Sequence, residues 1–167
     1  YRGTNPPGLH LYDIEREVSS QIDKRGGMNI WSRDGNYITY SVYYEGNYYI
    51  IDRSFDGLYS DTLITSDRFI GPYCWSTDKR YFIYVYMNER YIRDLMYLDM
   101  SQSERTPMVL SNEPVHETFA DLDPSGKYFV YVTDHVYVQP FPPDGQRIKV
   151  SDERGGEPCW LRGGDEI

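Results

Sequence analysis

Cysteine is scarce in this chain: Cys74 and Cys159 are its only two, too few for the disulfide framework of a small secreted domain. The three histidines, His10, His116 and His135, show no spacing that suits a metal site. No run approaches the roughly eighteen apolar residues that a membrane helix needs, and no signal-peptide pattern opens the sequence. Basic residues are in deficit, 17 Lys+Arg against 26 Asp+Glu for a net charge of −9, which repels phosphate backbones and disfavours nucleic acid as a partner. Sustained helical periodicity is missing as well. So are the signatures of common catalysts: the Gly-rich loop, H-R-D and D-F-G of a protein kinase, and the G-x-S-x-G of a serine hydrolase. No catalytic residue, metal or cofactor is expected.

Against these absences stands an excess of tyrosine, 18 of 167 residues, within an aromatic content of 16%. A tyrosine ring packs well on a pleated strand while its hydroxyl finds water or a partner, so the composition leans towards an all-β fold. An internal repeat organises it. IWSRDGNYITYSV (30–42), CWSTDKRYFIYVY (74–86), DLDPSGKYFVYVT (121–133) and CWLRGGDEI (159–167) align on an anchor column of Trp31, Trp75, Leu122 and Trp160. The anchors are 44, 47 and 38 residues apart, a period that belongs to the blades of a β-propeller.

Each repeat has one grammar. A polar turn follows the anchor, with Asp or Ser early and Gly late, as a tight hairpin requires. A strand then carries tyrosines at two fixed points: Tyr37 and Tyr40, Tyr81 and Tyr84, Tyr128 and Tyr131. Apolar residues surround them on both faces, which predicts sheets stacked face against face. Third strands are expected at 48–52, 94–99 and 136–141, and fourth strands at 62–65, 107–110 and 147–150. A short amphipathic helix over 91–100 is the weaker alternative for that stretch. The prediction is a partial β-propeller of four-stranded antiparallel blades. Residues 1–22 give the last strands of a preceding blade, 28–65, 72–110 and 118–150 three full blades, and 158–167 the first strand of a next one.

The W-S-x-D-G hairpin followed by an apolar-Tyr strand resembles the TolB-like, WD-repeat-like propellers of bacteria. The segment VYVQPFPPDGQRIKVSDERGGEPCWLRGGDEI (136–167) is more distinctive. It is similar to the C-terminal propeller behind the catalytic domain of bacterial serine/threonine protein kinases, and LHLYDIE (9–15) matches an L-W-x-Y-D-L-E strand there. That resemblance implies a non-catalytic segment of a larger bacterial protein, acting as an interaction or sensor scaffold for a protein or peptide. It points to the extracytoplasmic or periplasmic side of the cell. Two alternatives are the substrate-gating propeller of a prolyl-oligopeptidase-like serine peptidase and a free-standing periplasmic propeller. Departures are Leu122 at the anchor and Pro124 in the turn of the third unit, and Lys79 for Gly in the turn of the second.

Several features read as decoys. His116-Glu117 starts like H-E-x-x-H, but Ala120 fills the fifth position, and an exposed loop is expected. The Arg-Gly-Gly triplets at 25–27, 154–156 and 162–164 follow the repeat rather than an RNA-binding tract. Cys74 and Cys159 occupy equivalent positions and are expected to be small buried core residues that do not pair. Asp121 with Asp123, and Asp165 with Glu166, are read as turn chemistry.

Propellers bind through loops at one end of the disc. Those loops are expected at 23–29, 66–73, 112–118 and 152–157, joined by the turns at 44–47 and 87–93. The candidate interaction residues are therefore Arg25, Tyr44, Arg68, Arg90, Tyr91, His116 and Arg154. Three blades do not close a ring. The remainder of its own chain or assembly is thus expected to cover the strand edges and apolar faces left open.

Overall fold

The computed structural model describes residues 8–167 and contains strands, turns and loops, with no helix among the described residues. The first seven residues of the predicted 1–22 unit lie outside them. Strands β1 (Leu9–Asp13) and β2 (Val18–Asp23) form a two-stranded sheet. Three antiparallel four-stranded meanders follow. The first holds β3 (Gly26–Trp31), β4 (Tyr37–Tyr44), β5 (Asn47–Ser54) and β6 (Ser60–Ser66). The second holds β7 (Ile70–Trp75), β8 (Tyr81–Met87), β9 (Arg93–Asp99) and β10 (Met108–Ser111), so the stretch weighed as a helix is a strand. The third holds β11 (Thr118–Leu122), β12 (Tyr128–Val132), β13 (Val136–Pro140) and β14 (Ile148–Lys149). The array is all-β and unclosed, a partial propeller.

The hairpin after each anchor is built by one hydrogen-bond frame. Ser32 donates its amide to Tyr37 O at 3.0 Å, its hydroxyl donates to Asp34 at 2.6 Å, and that same hydroxyl accepts the Tyr37 amide at 2.9 Å. Ser76, Asp78 and Tyr81 repeat the arrangement. So do Ser54, Asp56 and Tyr59 between β5 and β6, where SFDGLY copies the grammar of SRDGNY in a place the repeat alignment did not cover. In the third unit the two side chains exchange places. Asp123 takes the serine position and accepts the Lys127 and Tyr128 amides at 2.7 and 2.8 Å, while the Ser125 hydroxyl donates to it. The departure D-P-S-G thus keeps the same donor and acceptor chemistry.

Gly35 and Gly126 sit at φ 72° and 70° in the left-handed slot of this turn, and Lys79 occupies it at φ 58°. A side chain there costs about 1 kcal/mol. The Lys79 ammonium offsets that cost by reaching back to the first unit, 2.8 Å from Asp34 Oδ2 and 4.1 Å from the centre of the Tyr37 ring.

Packing between sheets depends on the second strands. Phe82 and Ile83 are adjacent in β8, point to opposite faces, and are both 0% exposed. Phe82 and Tyr84 face Ile50 and Leu63 of the first unit. Ile83 faces Leu122, Phe129 and Tyr131 of the third. First strands adjoin one another (β3 with β7, β7 with β11), so they form the innermost layer, and each carries a register irregularity shortly before its anchor.

The anchor residue closes the seam with the unit before it. Trp75 Nε1 donates to Thr39 Oγ1 at 2.8 Å, and Thr39 Oγ1 donates to Asp52 Oδ1 at 2.7 Å, a relay from the second unit into the first. Leu122 belongs to the apolar cluster containing Ile83, the repeat equivalent of Thr39. Trp160 packs against the cluster of Val130, Val132 and Val136. Trp31 is 45% exposed, because the sheet before it supplies only β1 and β2.

Two expectations need correction. Residues 158–167 are not laddered as a strand: they form the hairpin turn alone, with Leu161 N to Glu166 O at 3.0 Å and Gly164 at φ 76°. A first strand ladders to the strand that follows it, and no following strand is present within the sequence. For the same reason Cys159 is exposed, while Cys74 is buried and its thiol is pushed well up by desolvation. Both cysteines are free, as expected.

Replacing Thr39 by Val strips Trp75 and Asp52 of their partner and is expected to cost about 1–3 kcal/mol. Denaturant midpoints of Thr39→Val, Trp75→Phe and the double variant check this. Additive losses would show that no relay couples the sheets.

Candidate functional site

The meander gives each unit two ends. The hairpin end carries the turns after the anchors and those between third and fourth strands. The connection end carries the links from one unit to the next and the turns between second and third strands. All seven candidate residues lie at the connection end, yet the first strands begin earlier than expected, at Gly26 and Ile70, which shortens the loops predicted at 23–29 and 66–73.

Arg25 and Tyr44 meet: the guanidinium lies 4.4 Å from the ring centre, and the Arg25 amide donates to Asp23 Oδ1 at 2.7 Å. Tyr44 precedes a two-residue turn, Glu45-Gly46, with φ of 49° and 87°, as the right-handed twist of a hairpin favours. Beside it Tyr43 is exposed and packs on Tyr48, 4.7 Å between ring centres, and Tyr48 in turn meets Phe69. Arg68 is half-buried and donates to Asn88 O at 3.3 Å, so it braces the neighbouring turn instead of standing free.

Asn88 shapes that turn. Its Oδ1 accepts the amides of Arg90 and Ile92 at 2.9 and 3.0 Å, and its Nδ2 donates to both oxygens of Asp94. The Asn88 carbonyl also takes the Tyr91 amide, holding Tyr91 at φ 59° with 73% of its surface exposed. A large side chain kept in the left-handed region and in solvent is a projecting aromatic on a fixed base.

Two cavities open side by side at this end. One, about 620 Å³, includes His116, Arg154, Tyr137 and Arg147 in its lining. The other, about 400 Å³, includes Arg90, Asn88 and Asp94. They share Glu113 and Pro114, so the loop between β10 and β11 is their common wall. Four of the seven candidates therefore fall into two groups: His116 with Arg154, and Arg90 with the neighbouring Tyr91.

The residue that holds this wall was not legible as such. Glu117, read with His116 as an exposed loop, is 0% exposed. Its carboxylate accepts the Ser111 hydroxyl in a short bond, the Glu113 amide at 3.2 Å and the Leu95 amide at 3.3 Å, while its own amide donates to Arg93 O at 2.8 Å. Those bonds pin the loop to β9 and β10. Burial pushes the carboxyl up to about 7 even though all three donors pull the other way. His116 turns elsewhere, its Nδ1 accepting the Arg93 amide at 3.2 Å, so the two side chains do not converge.

Asp121 also departs from the turn reading. It lies in β11, accepts the Trp160 amide at 3.0 Å, and stands 3.9 Å from the Arg33 guanidinium, which donates to Leu122 O. It ties three units together near the axis, beside a cavity of about 610 Å³. Asp123 behaves as a turn residue, as expected.

No family model matches the chain, and none of the curated proteins is similar to it in sequence. Solved structures are similar in fold. Against TolB from Acinetobacter baumannii the chain has 14% identity and a TM-score of 0.74, over 93% of this chain and 40% of that one. Putative TolB from Agrobacterium tumefaciens gives 16% and 0.60, over 78% and 47%. The β-propeller domain of the Trilobed protease from Pyrococcus furiosus gives 15% and 0.61, over 86% and 49%. The chain therefore spans less than half the length of each. At these identities the likeness shows the fold, a TolB-like β-propeller.

Because the folded carboxyl of Glu117 lies above its ordinary value of 4.5, the stability it contributes is complete below pH 4.5 and lost as pH rises through about 7. The loss is about 3 kcal/mol. Glu117→Gln is expected to flatten that part of the unfolding profile between pH 4.5 and 8. An unchanged profile in the variant would remove Glu117 as its source.

Proposed function

We propose that this chain is a non-catalytic propeller segment that binds a peptide or protein across its connection end. The observation that carries the reading is the coincidence, at one end, of two adjoining cavities with the exposed aromatics Tyr43, Tyr44 and Tyr91. Aromatic anchors on braced turns beside concave pockets are what an extended chain needs, since the rings contribute contact area at little cost in conformational entropy. The stacked sheets hold these loops, and loops held by a scaffold are where binding groups concentrate.

Within that reading the chain is the regulatory propeller of a larger bacterial protein such as a serine/threonine kinase, supported by the V-Y-V-Q-P-F-P segment at 136–142. Further blades would cover the exposed Trp31 and the two-stranded β1–β2 sheet. A second reading, a propeller gating access to a peptidase, draws on the likeness to the Trilobed protease propeller. A kinase domain encoded upstream supports the first, and a hydrolase domain with G-x-S-x-G downstream the second.

Peptides selected from a random library on the immobilised chain test the common core of both. Tyr44→Ala and Arg90→Ala are expected to weaken the selected peptides about tenfold each. Leu58→Ser, at the opposite hairpin end, is expected to leave them unchanged. Binding that ignores the first two substitutions and falls with the third would place the site at the wrong end.

A further inference from the structure

The larger cavity at the connection end has an asymmetry in which of its polar groups are already occupied. Both of its carboxylates hold partners. Glu113 Oε1 accepts from Arg147 Nη1 at 2.9 Å, and Asp134 Oδ1 accepts the Thr133 hydroxyl at 2.9 Å and the Tyr137 hydroxyl at 3.4 Å. Arg147 is further fixed by lying 4.6 Å from the centre of the Tyr137 ring.

Two donors of the lining are without a hydrogen-bond acceptor among the described residues. His116 Nδ1 accepts the Arg93 amide, so the neutral imidazole carries its proton on Nε2, the nitrogen without a hydrogen-bond partner among the described residues. The exposed Arg154 guanidinium has no ion pair or hydrogen bond among the described residues, and it lines the same cavity as His116. A planar fork of N–H groups and one imidazole N–H match the two oxygens of a carboxylate. Glu113 and Asp134 balance Arg147 and Arg154 in the lining, so the cavity holds no surplus of positive charge for a multiply charged anion such as a phosphate.

We propose that this cavity is a subsite for a carboxylate of the bound peptide, either an acidic side chain or a free C-terminus, held by Arg154 and His116. The proposal rests on the peptide-binding reading above and names the chemistry it selects. Arg147 and Tyr137 form the preset floor, and the loop pinned by Glu117 supplies His116.

Three fluorescent capped hexapeptides built on alanine and tyrosine test it by anisotropy. One carries an internal glutamate and a C-terminal amide. A second has glutamine in its place, and a third has that glutamine with a free C-terminal carboxylate. At least one acidic peptide is expected to bind about tenfold tighter than the neutral one, and which of the two does so identifies the source of the carboxylate. Arg154→Gln is expected to abolish the preference, with Arg154→Lys restoring part of it. His116→Asn keeps an acceptor for the Arg93 amide, loses the Nε2 donor, and is expected to reduce the preference several-fold. Circular dichroism and unfolding midpoints of the variants confirm that they fold.

Equal binding of all three peptides, still sensitive to Tyr44→Ala, would overturn the carboxylate subsite and leave the peptide-binding reading standing. An acid preference that survives the Arg154→Gln, His116→Asn double variant would overturn the assignment to this cavity. No binding of any peptide would overturn both.

Discussion

Everything in this chain depends on second strands that are buried on both faces. A sheet with one greasy face needs one neighbour; a strand such as β8, with Phe82 and Ile83 fully buried side by side, needs two. That requirement stacks the sheets, and stacking sets where each turn and loop projects. Burying a side chain of that size is worth roughly 1.5–3 kcal/mol, so a few such residues per interface outweigh any single polar contact.

The seams between sheets show how one geometry accepts two chemistries. Between the first and second units, Trp75 meets Thr39, whose cross-strand partner is Asp52. Between the second and third, Leu122 meets Ile83, whose cross-strand partner is Tyr97. At the last anchor, Trp160 meets Val130, paired with Val138, and its indole N–H finds no acceptor among the described residues. Polar seams carry direction and register through the relay, apolar seams carry burial, and the third combines a polar anchor with an apolar bed. An orphaned indole donor costs about 1–3 kcal/mol at this seam.

Stacking also explains how a loop of ordinary polar residues becomes a shaped surface. The link between β10 and β11 is not held by its own propensity. It is held because Glu117 reaches down to the main chain of β9 and to Ser111, burying a carboxyl whose desolvation is offset only in part by three hydrogen bonds. The cavities on either side exist because that wall stands between them. A charged residue spent inside the protein thus organises groups outside it.

The repeat period, the hairpin grammar and the double-faced strands were legible in the residues themselves, because each copy independently reported the same local chemistry. Placement of the strands at 9–13 and 93–99 and the gathering of the loop residues at one end followed from that grammar. What the order of residues left open was everything that depends on which sheet lies next to which. Glu117 looks like any loop glutamate until β9 is brought against it. Cys74 and Cys159 share a repeat position, yet one is covered and the other bare, because cover comes from the neighbouring strands and not from the motif. Lys79 takes a glycine slot because Asp34, 45 residues away, is waiting across the seam. Local hydrogen bonds and strand alternation act over a few residues and can be read along the chain; burial and the pairing of distant side chains are properties of the stack, and only the tertiary structure decided them.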